Sequence, residues 1–223
     1  MIEIRFSKQR GHGDFGWLDA YYSFSFADYH DPRFMGFRTL RVINEDRIAG
    51  GGGFPKHPHK DMEIITYVVE GSLKHQDSMG HEGTIESGEV QKMTAGTGIT
   101  HSEFNASDKD PVHLLQIWIH PHANGLKPSY QQHSLPVDQE DCLLPLPVNI
   151  HQDVHVYRGR LIQGKKVDYT IAEGRALWIQ VIRGQIMLKN DLLCEGDGAS
   201  VEGLPSVSIT CLHHAEFLLF DLK

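Results

Sequence analysis

The chain repeats itself, and the repeated unit is made of strands. YVVEG at 67–71, a hairpin, ESGEV at 86–90 and QIWI at 116–119 are echoed by WIQVIRG at 178–184, a shorter hairpin, CEGDGA at 194–199 and LLFDL at 218–222. Two copies of one β-unit in tandem predict two antiparallel barrels rather than a single large sheet. Runs rich in Val, Ile, Tyr and Phe at 21–26, 63–69, 114–119, 177–182 and 216–222 read as strands. No long apolar pattern of period 3.6 competes with them. The run MEIITYVVEG is apolar at both parities, as a strand covered on both faces would be. Gly71, Gly88, Gly184 and Gly196 mark strand ends. Pro136, Pro145 and Pro147 fall close together, and proline cannot donate to a central ladder. The expected division is therefore an N-terminal barrel at 1–134, a connection at 135–150 and a C-terminal barrel at 151–223.

A chain of 223 residues, 40% of them hydrophobic, buries roughly 70–75% of its unfolded surface and folds without staples. A metal, if bound, then serves chemistry. The N-terminal MIEIRFSKQRGHG has no apolar signal region, and no segment has the ~20 apolar residues of a membrane span. A soluble, cytoplasmic protein without membrane association is expected. Three cysteines, Cys142, Cys194 and Cys211, are odd in number and form no CxxC pair, so neither a disulfide framework nor a thiolate zinc site is suggested, and a reducing compartment fits. Net charge is −8 and the 21 Lys and Arg are scattered, so direct nucleic-acid binding is not expected.

Fifteen histidines are many for this length, and the informative ones sit in two short segments. In HPHKDME, His57 and His59 are two residues apart, so on a strand both imidazoles project from one face. In GITHSE, His101 and Glu103 repeat that spacing some forty residues later. Two such strands facing each other would close a cup of four ligands. Imidazole and carboxylate suit iron, manganese, nickel, copper or zinc, and four protein ligands leave positions open around an octahedral ion. Affinity should fall as pH drops through the histidine range near ~6.5. The second copy lacks the set: superposing Gly184 on Gly71 puts Thr170 and Ala172 at the places of His57 and His59, and superposing Gly196 on Gly88 puts Ile209 at that of His101. One metal per chain follows. A further HxH, His120 and His122, lies past a strand end and reads as a loop feature.

Context strengthens the metal reading. Gly51 six residues before His57, Glu63 four after His59 and Gly71 at the strand end resemble the first cupin motif, with one extra residue before the last glycine. Gly88 to His101 resembles the second, with threonine in place of its usual proline and a longer spacing. RGHGDFGWLDAYYSFSFADYHDPRFMGF, LRVINEDRI, HPHKDMEIITYVVEG, HQDSMG and MTAGTGITHSE together resemble the bacterial members of the pirin family, and the likeness extends more weakly into the C-terminal half.

That resemblance implies an all-β bicupin, two antiparallel jelly-roll barrels in one chain with metal in the first. It carries the ligand roles onto His57, His59, His101 and Glu103, and implies Fe(II), with zinc, manganese, nickel, copper or cobalt as alternatives. Ordinary cupins take the glutamate of the first motif as a ligand; the pirin pattern leaves Glu63 to fix a ligand tautomer or to a purely structural role. The activity implied is that of a quercetin 2,3-dioxygenase, opening the central ring of a flavonol with O2 and releasing carbon monoxide. The 3-hydroxyl and 4-keto oxygens of a flavonol would chelate the ion, Glu103 would take the hydroxyl proton as a catalytic base, and Phe24, Phe26 and Phe54 would line a dry pocket. Pirins also act as protein-binding regulators, so a redox- or metal-sensing role with a protein partner is the competing expectation. A monomer is expected.

Overall fold

The computed structural model describes residues 1–136 and 138–223; Val137, inside the expected connection, lies outside the described residues. In chain order the first strands are β1 (Ile2–Arg5), β2 (Gly11–Asp14), β3 (Leu18–Tyr22), β4 (Leu40–Ile48), β5 (Gly53–His59), β6 (Glu63–Glu70), β7 (Ser72–Asp77), β8 (Glu82–Glu86), β9 (Glu89–Thr94), β10 (Ile99–Asn105), β11 (Val112–Ile119) and β12 (Ser129–Ser134). They continue as β13 (Cys142–Pro145), β14 (Val154–Leu161), β15 (Lys166–Thr170), β16 (Ala176–Leu188), β17 (Asp191–Cys194), β18 (Gly198–Val201) and β19 (Ser206–Leu222). Among the described residues the only helical element is one 3-10 turn, Ser7–Gln9. The all-β expectation therefore holds, and no helix is long and apolar enough to cross a membrane.

Two compact units form. The N-terminal unit comprises Gly11–Leu135 with Pro147–Gln152, and the C-terminal unit Met1–Arg10, Pro136–Leu146 and Asp153–Lys223. These limits differ from a division at 135–150. β1 pairs with β18, and Ile2 and Ile4 pack on the C-terminal core, so the first ten residues belong to the second unit. The proline-rich stretch is no free connection either: β13 pairs with β14 at the end of its sheet, an edge position where Pro145 is tolerated.

In the N-terminal unit, a seven-stranded sheet of order β12-β9-β6-β11-β4-β3-β2 packs on a four-stranded sheet of order β5-β10-β7-β8, every pairing antiparallel. The two remain an open jelly-roll sandwich rather than a closed barrel. Alternation sets the inner face: on β7, Leu73, His75 and Asp77 are buried while Lys74 and Gln76 are exposed. Leu73 and Ile85 of the small sheet meet Leu18, Val68, Val112 and Leu114 of the large one, and a second cluster gathers Ile64, Met93, Ala95 and Ile99. Each of the leucine, isoleucine, valine and methionine side chains contributes about 1.5–3 kcal/mol on burial.

Between these clusters runs a polar row. Gln91, Thr66, Gln116 and Asn44 stand opposite one another across β9, β6, β11 and β4. Polar groups buried in a core persist when they are hydrogen-bonded, and here they underlie the site described next.

The C-terminal unit is a single eight-stranded sheet built on the long strands β16 and β19. Register shifts between Val181 and Ile186 mark where β16 bends along β19. Its apolar core includes Leu177, Ile209, Cys211 and Phe217.

Candidate metal centre

β5 and β10 carry the two histidine segments, and they are hydrogen-bonded neighbours in one sheet rather than strands that face each other across the core. His101 lies directly opposite His57, and Ile99 opposite His59. Beyond His101 the register slips, so that Glu103 pairs with Phe54. This bulge re-aims the strand beside the site, a common use of the feature. β5 is an edge strand, which accommodates both Pro55 and Pro58. The TAGTG turn that delivers β10 depends on Gly96: its φ is +48°, and a Cβ there would collide with the carbonyl of Leu126.

His57, His59 and His101 converge, with candidate ligand atoms within 4.8 Å of one another. Glu103 enters through a second grouping of the same span, with His101 and His75. The residues suit a metal on several grounds. Nε2 of His101 is buried and has no hydrogen-bond partner. Nδ1–H of His57 donates to the Pro55 carbonyl at 2.8 Å, which leaves its Nε2 as the ligand atom. Burial, reinforced by repulsion among the neighbouring imidazoles, holds His59 and His101 down to about 3, so both are neutral and able to bind a cation well below the ordinary histidine range. The expected loss of affinity near pH 6.5 moves to more acidic pH for these two.

Glu103 is fully inside and has no lysine or arginine partner among the described residues. Gln91 Nε2 donates to its Oε1 at 2.7 Å and Gln116 Nε2 to its Oε2 at 2.8 Å. The Thr66 hydroxyl lies 3.3 Å from Oε1 and 3.1 Å from the Gln116 carbonyl, one hydrogen serving either acceptor. Burial raises the carboxyl above its usual range, opposed by His75, His57 and these donors. A carboxylate oriented by neutral donors thus stands in a grouping that shares His101 with that of the three histidines, and imidazole with carboxylate is a donor combination that suits first-row divalent ions.

His75 carries no role in the sequence reading, although HQDSMG contains it. It lies on β7 opposite Glu103, with its Nδ1 3.4 Å from Nδ1 of His101 and its Nε2 3.5 Å from Asp77. Asp77 in turn accepts hydrogen bonds from the backbone of Met79 and His81. With His101 as the donor in its contact with His75, Nε2 of His101 is left as its ligand atom. The inward alternation Leu73, His75, Asp77 is the signal that would have found it.

Glu63 fixes no ligand tautomer. Its Oε2 is ion-paired with Lys92 at 2.6 Å, both side chains fully buried, and accepts from the His151 backbone at 3.1 Å. Of the two roles considered for it, the structural one is what the geometry shows. His122 donates from its ring to the His151 carbonyl in the loop after β11 and joins neither grouping.

Beside the ligands opens a cavity of about 380 Å³ lined by His57, His59, Glu103 and Gln116 and walled by Leu18, Tyr22, Phe26, Phe54 and Trp118. Phe26 and Phe54 line it as expected. Phe24 does not: β3 ends at Tyr22, the alternation breaks, and Phe24 is buried in the core.

In the C-terminal unit, Ile209 stands opposite Val167, not Thr170, which faces Ser206; the repeat superposition is three residues out on that strand because the hairpins differ in length. Neither pairing contains a histidine, a cysteine or a carboxylate. Both groupings found among the described residues lie in the N-terminal unit.

Comparison with known proteins agrees with this architecture. The family model described as "Pirin" matches residues 3–119, and that described as "Quercetinase C-terminal cupin domain" matches 145–222. A curated Escherichia coli K12 protein named quercetin 2,3-dioxygenase is 45% identical over 228 residues, covering 100% of this chain and 99% of that protein. The crystal structure of YhhW from Escherichia coli superposes with a TM-score of 0.97 at 44% identity, covering 100% of this chain and 98% of that one. A nickel(II) complex of the bacterial pirin YhhW gives 0.96 at 43% identity, covering 100% and 99%.

Proposed function

The chain belongs to the pirin family, and from that premise we propose that it is a metal-dependent dioxygenase of the quercetin 2,3-dioxygenase type, cleaving a flavonol-like substrate with O2 at a mononuclear site of His57, His59, His101 and Glu103. One observation carries the reading: His57, His59 and the buried Glu103 line one aromatic-walled cavity, and His101 is grouped both with the two histidines and with the carboxylate, in a space whose volume is in the range of small-molecule sites. The relative named quercetin 2,3-dioxygenase supports the substrate class.

A divalent ion, proposed as Fe(II), would be held by His57, His59, His101 and Glu103 and would supply Lewis acidity toward the substrate hydroxyl and redox chemistry toward O2. The remaining work falls to the protein. Gln91 and Gln116 hold the Glu103 carboxylate in a fixed orientation, from which it accepts the proton of the substrate 3-hydroxyl. His75 and Pro55 fix the tautomers of His101 and His57. Phe26, Phe54 and Trp118 pack around the substrate rings and exclude water from the reacting edge. Trp118 also meets the ring of His59 edge-on at 5.0 Å, which limits the swing of that imidazole. Cytoplasmic residence completes the proposal, in keeping with three unpaired cysteines.

The test is flavonol consumption with oxygen uptake by protein loaded anaerobically with Fe(II), the other divalent ions being run in parallel. Turnover that depends on the ion supports the reading. Loaded protein that leaves every flavonol intact would move it to the protein-binding alternative.

A further inference from the structure

One stretch of the cavity wall carries polar groups that the proposed reaction leaves unused. Asn44 and Asp46 stand two residues apart on β4, so both project from the same face of the strand. Both line the cavity, each is 4% exposed, and Oδ1 of each is buried without a hydrogen-bond partner. Their neighbours in the sheet cannot answer them. Asn44 lies opposite Tyr22 and Gln116, and the Gln116 amide is already committed to Glu103; Asp46 lies opposite Ala20 and Leu114. An unanswered buried acceptor costs about 1–3 kcal/mol, and two side by side on one strand facing the cavity mark a place for a ligand.

We propose that Asn44 and Asp46 form a second anchor in the cavity, binding a phenolic hydroxyl of an aromatic ligand distinct from the oxygens that reach the histidines. A phenol suits both groups at once. Its O–H donates to Oδ1 of Asn44, while its oxygen accepts from the carboxyl of Asp46. Burial, with Glu103 and Glu45 adding repulsion, raises Asp46 to about 8, so at neutral pH the carboxyl keeps the proton it would donate. Beside this pair, Leu18, Tyr22 and Phe26 offer apolar surface for the rings. The inference rests on the cavity being a flavonol site and narrows its ligand to a polyhydroxylated one.

The test is titration calorimetry under argon, with the protein as purified. The probes are 3-hydroxyflavone, whose one hydroxyl belongs to the chelating pair, and quercetin, which has further hydroxyls on both outer rings. Wild type should prefer quercetin on the order of tenfold, the worth of one good hydrogen bond. Asn44→Leu and Asp46→Leu, which match the lost side chains in volume, should each reduce that preference below about threefold while metal content and the far-ultraviolet circular dichroism stay as in wild type. An unchanged preference in both variants, or none in wild type, overturns the second anchor and leaves the flavonol reading standing. Wild type that binds neither compound overturns both.

Discussion

Nδ1 of His75 lies 3.4 Å from Nδ1 of His101, while the far nitrogen of His101 is buried with nothing to bond. The first imidazole orients the second, and the second waits for a cation.

His75→Phe keeps a flat ring stacked on Tyr130, 4.9 Å away in the wild type, but removes the acceptor for His101. Losing such an outer partner typically costs ten- to a hundredfold in metal affinity. A chelator competition should show that drop in a folded protein, with His120→Ala, in the loop after β11, as the control that keeps full affinity. Equal affinity in wild type and His75→Phe would remove His75 from the account.

Glu63 and Lys92 form a buried ion pair at 2.6 Å, and removing one partner strands the other. Lys92→Met should lower unfolding stability by about 3–5 kcal/mol, and Lys92→Met with Glu63→Leu should recover most of it. Glu63→Gln should cost stability yet leave metal stoichiometry alone. Urea unfolding and metal analysis of the three variants check this. Metal lost from Glu63→Gln protein that is still folded would restore Glu63 to the ligand set.

Asp46 makes stability depend on pH in a direction that can be worked out. Its folded pKa is raised to about 8, whereas an unfolded chain releases that proton near 3.9. The protonated group's contribution is therefore fully present below pH about 4 and is lost as pH rises to about 8. Asp46→Asn, neutral throughout, should gain on wild type between pH 5 and pH 8 by on the order of 2–4 kcal/mol, at about 1.4 kcal/mol per unit at most. Urea unfolding of metal-free protein at the two pH values measures it. A stability difference that does not change with pH would mean that Asp46 is ionised in the fold.

Much of the site was legible because strand parity is a local rule. Two residues of spacing put His57 with His59 and His101 with Glu103 on common faces, whatever the rest of the chain does. Strands β6 and β11 were equally plain in their apolar runs, whereas the runs at 177–182 and 216–222 cover only part of β16 and β19, and β16 continues through Gly184, an expected strand end, to Leu188. What stayed hidden depends on register between distant segments. Lys92 and Glu63 meet only because β9 lies beside β6, with Lys92 opposite Ile65 and Glu63 opposite Thr94. His75 is one histidine among fifteen until β7 is laid against β10. Phe24 groups with Phe26 and Phe54 as an expected pocket aromatic, but an aromatic's type alone does not separate pocket from core: Phe24 lies past the end of β3 and is buried in the core. β1 has no local partner to announce it, and its four residues find β18 nearly two hundred positions away.

The central claim is one catalytic ion per chain, bound in the N-terminal unit by His57, His59, His101 and Glu103. Its most direct test is quercetin consumption in air as Fe(II) is titrated anaerobically into metal-free protein before each assay. The rate should rise linearly and level off at one equivalent per chain, and Glu103→Gln should bind iron more weakly and turn over far more slowly at saturation. A break at two equivalents, or a saturated protein that leaves quercetin unchanged, would contradict the account.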